Sequence, residues 1–228
     1  MVAAAVVALT VAAAVPAQAK VRQMIVFRSG KALTKSVSTR GVHVKVGHRR
    51  CAVARRTPLA ALVRSHPGHI GLRDFGSCSS DPADSTGLFV RSIRHDRNKG
   101  RRGWEYKVGN KAGTTGAADP SGPFGNGRRL RSGQRVVWFY CVLRSAGCQR
   151  TLAVRATEQP GGIAVKVKGY DDEGHGVLVE GATVKAGDAS AVTGADGRAT
   201  LSLASGTYRV YAKKKGLVRS FSERATVP

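Results

Sequence analysis

Apolar and polar side chains alternate in short runs along most of the chain, which is the pattern of half-buried β-strands. Residues 42–46 alternate with period two, and residues 49–53 follow as the second arm of a hairpin. Further strands are predicted at residues 20–28, 70–75 and 88–93. The chain is therefore expected to be mainly β.

One segment has the spacing of a helix instead. Thr57 can cap a helix, Pro58 suits its first turn, and apolar residues recur at helical spacing until residues 66–68 (HPG) stop it. A single helix is thus predicted between the hairpin and the later strands. One helix across a mixed sheet is the arrangement of α+β folds of the β-grasp type.

Residues 103–141 contain both Trp residues of the chain and are predicted to be the centre of the first domain. Two aromatic strands, around Trp104 and Trp138, flank a loop at 111–129 that is rich in Gly, Ala, Ser, Pro and Asp. Long loops often have a functional role, and aromatic side chains beside them can contact a ligand. The loop is therefore a candidate place for a ligand.

A change in composition divides the chain. Residues 159–162 (QPGG) have the composition of a linker, and beyond them strand and turn signals alternate about every ten residues without helical period. The predicted organisation is a β-grasp-like domain at 20–158, a linker at 159–162 and a small antiparallel β-sandwich at 163–228.

The first nineteen residues are apolar and uncharged and end in an Ala-x-Ala cleavage site at 17–19, so residues 1–19 are predicted to be a signal peptide. The start lacks Lys or Arg, which suggests that the true start lies upstream; an uncleaved anchor is the alternative. The remaining chain is expected to be secreted without a transmembrane anchor.

Four cysteines in an exported chain favour two disulfides, with three possible connectivities. Pairing of near neighbours gives Cys51–Cys78 and Cys141–Cys148. Zinc is the competing use of four cysteines, but the chain has no Cys-x-x-Cys pair, so no metal is expected.

The formal charge of +24 is concentrated before residue 159. Residues 159–228 hold ten Lys or Arg against seven Asp or Glu, a net charge of +3, which leaves +21 for residues 1–158. The electric field of such a net charge attracts polyanions. The alternative is that the high Arg content only keeps a secreted protein soluble.

The motifs of the second region resemble a known family. Residues 181–184 (GATV), 193–201 (TGADGRATL) and 206–210 (GTYRV) are similar to the carboxypeptidase-regulatory or transthyretin-like β-sandwich, which is found in many bacterial surface proteins. The resemblance covers most of residues 163–228 and implies that fold.

The first region resembles the transcobalamin C-terminal-like domain, a β-grasp-type family common in exported bacterial proteins. The similarity lies in residues 57–62 (TPLAAL), 103–110 (GWEYKVGN) and 132–138 (SGQRVVW). The resemblance implies ligand or partner binding. It does not imply cobalamin, because the helical partner domain of the animal carriers is missing from this chain.

The residues nominate no catalytic site. The acids of the first domain are scattered among turns and form no recognisable pair, so no enzyme activity and no cofactor are expected. The remaining candidates for a functional role are basic side chains. The basic residues near the two aromatic strands are Arg91, Arg94, His95, Arg97, Lys99, Arg101 and Arg102, then Arg128, Arg129, Arg131 and Arg135.

Because each basic set precedes one of the aromatic strands, pairing of these strands is expected to bring both sets to one rim. Arg side chains beside Trp104 and Tyr106 would stack on a planar or sugar ligand and bind anions. The alternative is that the Trp residues are core and the Arg side chains are solvated. The candidate ligand-binding residues are Trp104, Tyr106, Arg101, Arg102, Arg128, Arg129 and Arg131.

The expected role is that of an exported, non-catalytic protein that binds an anionic cell-surface polymer or ligand. A carrier of a small, corrinoid-like molecule is the alternative. Nucleic acid would use the same chemistry. Predicted export and the lack of a nucleic-acid-binding motif argue against that as a physiological role.

Overall fold

A computed structural model describes residues 19–228, and these residues are mainly β. The predicted signal peptide lies outside them except for Ala19. In addition to strands, the described residues form one α-helix, α1 (Pro58–Arg64), and a short 3₁₀ helix at Pro82–Gly87. The fold class predicted from the sequence is therefore confirmed.

The strands of the first module are β1 (Lys20–Val26), β2 (Ala32–Ser38), β3 (Val42–Val46), β4 (Arg49–Val53), β5 (Ile70–Asp74), β6 (Leu88–Ile93), β7 (Asp96–Arg97), β8 (Arg102–Val108), β9 (Lys111–Ala112) and β10 (Arg135–Val142). The central sheet has the order β2-β1-β10-β8-β9. Its middle pair, β1 and β10, is parallel, and the neighbouring pairs are antiparallel. With α1 on one face, this is a β-grasp arrangement.

Helix α1 begins where its sequence signals predict. The Thr57 hydroxyl accepts a hydrogen bond from the Ala60 backbone N–H at 3.3 Å, and Pro58 occupies the first turn. The face from Leu59 to Leu62 is fully buried against the sheet. The same side of the sheet contributes the aromatic core of Trp104, Tyr106, Trp138 and Tyr140.

The strands of the second module are β11 (Thr151–Gln159), β12 (Gly162–Tyr170), β13 (Gly176–Leu178), β14 (Thr183–Ala186), β15 (Ala189–Val192), β16 (Arg198–Ser202), β17 (Gly206–Lys213) and β18 (Glu223–Val227). In one sheet β11 pairs along one edge of β12, and β16 and β13 pair with successive parts of its other edge. The second sheet has the order β15-β14-β17-β18. Their facing sides enclose a core of mostly Val and Ala, as expected for a small β-sandwich.

The predicted linker at 159–162 is wrong, because these residues form the tight turn of a hairpin. Gln159 pairs with Gly162, and β11 pairs with β12 along its whole length. Gly161 takes a positive φ of 70°, which the turn requires. Residues 151–159 therefore belong to the sandwich. A Pro-Gly-Gly stretch fits a linker and a turn equally well until the pairing partner is known.

The second module packs on the face of the central sheet opposite α1. Met24, Val137 and Phe139 from the sheet contact Val218 and Phe221 in a third apolar cluster. Residues 218–222 thus pack against the sheet, and β18 begins only at Glu223. The central sheet is consequently buried on both faces.

Charged groups tie the modules together around this cluster. The fully buried Lys107 ammonium donates to the backbone oxygens of Tyr170 (3.1 Å) and Asp171 (2.7 Å), and lies 3.1 Å from Asp172 Oδ1. Burial lowers the pKa of Lys107, while the Asp172 carboxylate opposes that shift. A second bridge joins Arg135 to Glu223 at 2.7 Å. A buried ammonium with three oxygen partners fixes the two modules in one register.

The two disulfides join the pairs predicted as near neighbours. Cys51–Cys78 links β4 to the segment after β5, and Cys141–Cys148 links the end of β10 to the chain that enters the second module. Across residues 19–228, the helices are too short to span a bilayer.

Candidate functional site

The two aromatic residues predicted to contact a ligand are buried instead. Trp104 and Tyr106 are 3% and 6% exposed. The Trp104 indole N–H donates to the Asp96 carbonyl at 2.8 Å, and the Tyr106 hydroxyl donates to the Thr115 carbonyl at 2.9 Å. Their rings therefore do not offer a stacking surface. They anchor the two loops at 94–101 and 111–129 to the core.

The loop at 111–129 is packed rather than open. Ala118 is fully buried, and the Ala117 carbonyl accepts a hydrogen bond from the backbone N–H of Leu59 at 2.8 Å, at the start of α1. Gly113 lies against the Tyr106 ring so closely that a Cβ atom there would be 2.0 Å from Cζ. The longest exposed run is the tip at residues 125–128, and Lys111, Thr114 and Gly116 are also exposed. The loop mainly covers the core.

The expectation that the two Arg sets share one rim is wrong. Strands β8 and β10 are antiparallel, and Arg102 at the start of β8 pairs with Val142 at the end of β10. Residues that precede two antiparallel neighbours lie at opposite ends of the sheet, here about 20 Å apart at about 3.4 Å per residue. Arg101 and Arg102 are thus separated from the set that precedes β10, which comprises Arg128, Arg129 and Arg131.

The set that precedes β10 surrounds an ordinary surface. Arg129 is tied down, since its Nε donates to the Pro120 carbonyl at 2.6 Å. Arg128 and Arg131 are exposed. These residues carry charge without enclosing a depression that the structure identifies as a site.

At the other end of the sheet, the loop before β8 borders a depression of about 720 Å³, here called the basic groove. Its lining residues are Arg28, His95, Asp96, Arg97, Asn98, Lys99, Gly100, Arg102 and Tyr140. The four Arg or Lys side chains face a single carboxylate. The groove is thus strongly cationic even without protonation of His95.

The groove cations have no carboxylate partner among residues 19–228. The Asp96 carboxylate accepts a hydrogen bond from the backbone N–H of Arg28 at 2.9 Å rather than pairing with a side chain. The salt bridges of the described chain leave Arg28, Arg97, Lys99 and Arg102 unpaired. Unpaired cations that share one concave surface attract and hold anions.

Core side chains fix the backbone that carries these cations. The Asn98 side chain donates to the Val90 carbonyl and accepts from the Trp104 backbone N–H, both at 3.0 Å. The Tyr140 hydroxyl donates to the Arg97 carbonyl at 2.6 Å. Together with the Trp104 indole on Asp96, these bonds hold three consecutive residues. A preorganised groove loses less conformational entropy when it binds.

A second, smaller cavity of about 210 Å³ adjoins the groove and shares Arg28 and Tyr140 with it. Arg144 and Gln149 line this cavity from the first module side, and residues 216–218 line it from the second. The docking of the two modules therefore extends the basic groove to their junction.

Sequence reasoning missed Arg28 and Arg144 as site residues. Arg28 follows β1 and Arg144 follows β10, and these two strands are far apart in sequence but are parallel neighbours in the sheet. A β-grasp prediction already contains this parallel pair, and it was the signal that could have found them. The neighbouring His95, Arg97 and Lys99 belong to the predicted basic set.

One group of side chains in the second module has the composition of a metal site. Oxygen and nitrogen atoms of Asp171, Glu173 and His175 lie within 4.8 Å of one another. The Asp171 carboxylate, however, pairs with Arg150 at 3.3 Å and accepts from the His175 backbone N–H at 2.7 Å. These contacts shape the turn between β12 and β13, and the nearby guanidinium disfavours a cation.

No protein-family model matches this chain, and neither the curated proteins nor the solved structures include a significant match. The two family resemblances seen in the sequence therefore stay predictions.

Proposed function

We propose that this protein is an exported, non-catalytic binding protein that holds an anionic polymer in the basic groove. The observation that carries the proposal is the preorganised groove itself, in which four Arg or Lys side chains lack carboxylate partners among the described residues. The two disulfides support export, because they persist in oxidising compartments.

Both family resemblances agree with this role. A transcobalamin C-terminal-like domain implies binding of a ligand or partner, and a carboxypeptidase-regulatory-like sandwich implies a place among bacterial surface proteins. An anionic polymer of the cell surface is a partner that fits both expectations and the positive charge of the groove.

A small-molecule carrier is less well supported. The junction cavity of about 210 Å³ is smaller than the usual ligand pocket of roughly 300–1,000 Å³, and the larger groove is an open depression rimmed by four cationic side chains. The buried rings of Trp104 and Tyr106 are also unable to cover a planar ligand.

Binding of long-chain inorganic polyphosphate across a salt series tests the proposal. The double variant Arg97→Ser/Lys99→Ser removes two groove charges, and Arg128→Ser/Arg131→Ser removes two exposed charges at the other end of the sheet as the matched control. We expect the groove variant to bind about tenfold more weakly at low salt, with a shallower dependence of log K on log salt.

The control variant is expected to bind nearly as the parent does. Equal losses in the two variants would mean that the polymer responds to total charge and not to the groove, and the proposal would then be wrong. Circular dichroism of both variants checks that the fold is retained.

A further inference from the structure

The second module carries three cationic side chains directly opposite one another on neighbouring strands. Arg155 of β11 pairs in register with Lys166 of β12, and Lys166 pairs with Arg198 of β16. Neighbouring strands lie about 4.8 Å apart, so this cationic row spans about 10 Å. Lys168 lies on the same face, two residues or about 7 Å further along β12.

The outward face of this sheet contains no acid at all among its paired strand positions. Apart from Gly162 and the buried Thr151, the residues on this face of the three strands are Ala153, Arg155, Thr157, Gln159, Ala164, Lys166, Lys168, Tyr170, Arg198, Thr200 and Ser202. Residues 151–228 as a whole nearly balance, with eleven Lys or Arg against eight Asp or Glu. The segregation of charge therefore does not follow from composition.

Like charges directly opposite each other destabilise a sheet. The nearest compensation is Asp196, whose carboxylate lies 3.8 Å from Arg198, and both side chains are more than 60% exposed. An exposed contact at that distance contributes little. Within residues 19–228, the salt bridges include no partner for Arg155, Lys166 or Lys168. A bound anion would remove the repulsion.

The surface of the sheet between these long side chains is covered by small side chains. Thr157, Ala164 and Thr200 form the next cross-strand row, and two shallow depressions of about 290 and 300 Å³ share Arg155 and Lys166. Hydroxyl groups and cations thus line the same surface. Both bind phosphate oxygens, and Arg does so with two parallel hydrogen bonds.

We propose that this face is a second binding site, and that it takes a linear polyol-phosphate chain laid along β12. The side chains of Arg155, Lys166 and Arg198 form one row that can hold one phosphate group, and Lys168 lies about 7 Å further along β12 to hold the next. A glycerol-phosphate repeat has six backbone bonds and extends about 7 Å, twice the reach of a three-bond peptide unit. That repeat matches the distance of about 7 Å from Lys166 to Lys168 along β12.

The small side chains between the cations also favour this ligand over nucleic acid. Proteins that hold single strands without sequence preference stack successive bases on aromatic side chains. The only aromatic residue at the outward positions is Tyr170, at one end of β12. The face therefore suits a polymer without bases.

The opposite sheet of the sandwich supplies a matched control. Arg209 of β17 and Arg224 of β18 also face each other directly in register. Replacing this pair removes the same charge and relieves a similar repulsion, but it leaves the proposed face intact.

The experiment measures binding of poly(glycerol phosphate) to the full protein, with Arg97→Ser/Lys99→Ser as the common background so that the basic groove contributes little. In this background, Arg155→Ser/Lys166→Ser is expected to reduce affinity about tenfold at low salt, and Arg209→Ser/Arg224→Ser is expected to change it less than twofold. Equal losses would overturn the proposal. Because the background already weakens the groove, failure here does not affect the function proposed for the groove.

Two further measurements identify the ligand class and the place of binding. Polyglutamate and single-stranded oligo-dT of equal charge are expected to bind the background protein more weakly, and equal or tighter binding of either would refute a polyol-phosphate site. Backbone amide NMR of that protein should show poly(glycerol phosphate) shifting Arg155, Lys166 and Arg198. Shifts confined to other strands would also overturn the proposal.

Discussion

The first module buries aromatic side chains and carries its groove cations on loops and strand ends, whereas the second buries mainly Val and Ala and carries its cations within paired strands. A loop has no regular ladder of backbone hydrogen bonds to fix its shape. Hydrogen bonds made by Asn98, Trp104 and Tyr140 therefore attach the groove backbone to the core. Strand pairing alone fixes the spacing of the cationic row. Anions of different shape are therefore expected at the two surfaces.

The modules also differ in how they are stabilised. The first has a helix, an aromatic core and the Cys51–Cys78 disulfide, while the small core of the second is completed by its docking on the central sheet. The contacts of Phe221 and Lys107 at the junction couple the unfolding of one module to that of the other. Four changes test this contrast, from the largest expected effect to the smallest.

Loss of the Cys51–Cys78 disulfide should have the largest effect, because it closes the longer of the two loops. Replacing Cys51 and Cys78 with Ser is expected to lower the free energy of unfolding by about 3.6 kcal/mol, from the entropy of closing that loop. Replacing Cys141 and Cys148 should lower it less, by about 2.5 kcal/mol, since the loop is shorter. Urea unfolding measures both, and a larger loss from the shorter loop would contradict the entropic explanation.

Phe221→Ala should uncouple the modules. The ring is buried in the junction, and its centroid is 5.6 Å from the Arg22 guanidinium and 5.7 Å from that of Arg135. We expect a loss of about 3 kcal/mol and a calorimetric transition that splits in two.

The matched control for this change is Phe89→Ala, because Phe89 is 42% exposed on the first module. It should lower stability by less than about 1 kcal/mol and keep one transition. A single sharp transition in the Phe221 variant would show that the modules are coupled mainly by their polar contacts.

Glu105→Gln should change how stability depends on pH. Desolvation, and then the nearby Asp172 carboxylate, raise the pKa of Glu105 above its usual value. A raised carboxyl pKa means that the folded state binds more protons, so stability is highest below the unfolded pKa and falls as pH rises through the folded one. The variant should lack this fall and be more stable than the parent at pH 7. Thermal unfolding from pH 3 to pH 7 measures this, and parallel curves would refute it.

Lys166→Thr should give the smallest effect, a gain. Removing the middle charge of the cationic row relieves two like-charge contacts and is expected to raise stability by about 0.5 kcal/mol at low salt. The gain should disappear in 1 M salt, where the Debye length is about 3 Å. Lys185→Thr is the control, because its neighbours across the strands are Ser190 and Tyr211. A gain of equal size in the control would point to β-propensity instead.

The local features of the fold were readable in the sequence. Thr57 and Pro58 mark the start of α1, the 42–53 hairpin follows from alternation, and the four cysteines pair with their near neighbours. Each signal depends on residues close together in the chain. Burial of Trp104 and Trp138 was likewise the alternative that the sequence left open, and the core contains both.

The sites depended on pairing between distant strands, which only the tertiary structure decided. Antiparallel pairing of β8 with β10 separated Arg102 from Arg131, and parallel pairing of β1 with β10 brought Arg28 into the basic groove. Pairing of β11 with β12 turned a supposed linker into a hairpin and aligned Arg155 with Lys166. The sequence by itself determined where strands, turns, charges and crosslinks occur. Which charges face one another follows from strand order and register, and these depend on the packing of the whole core.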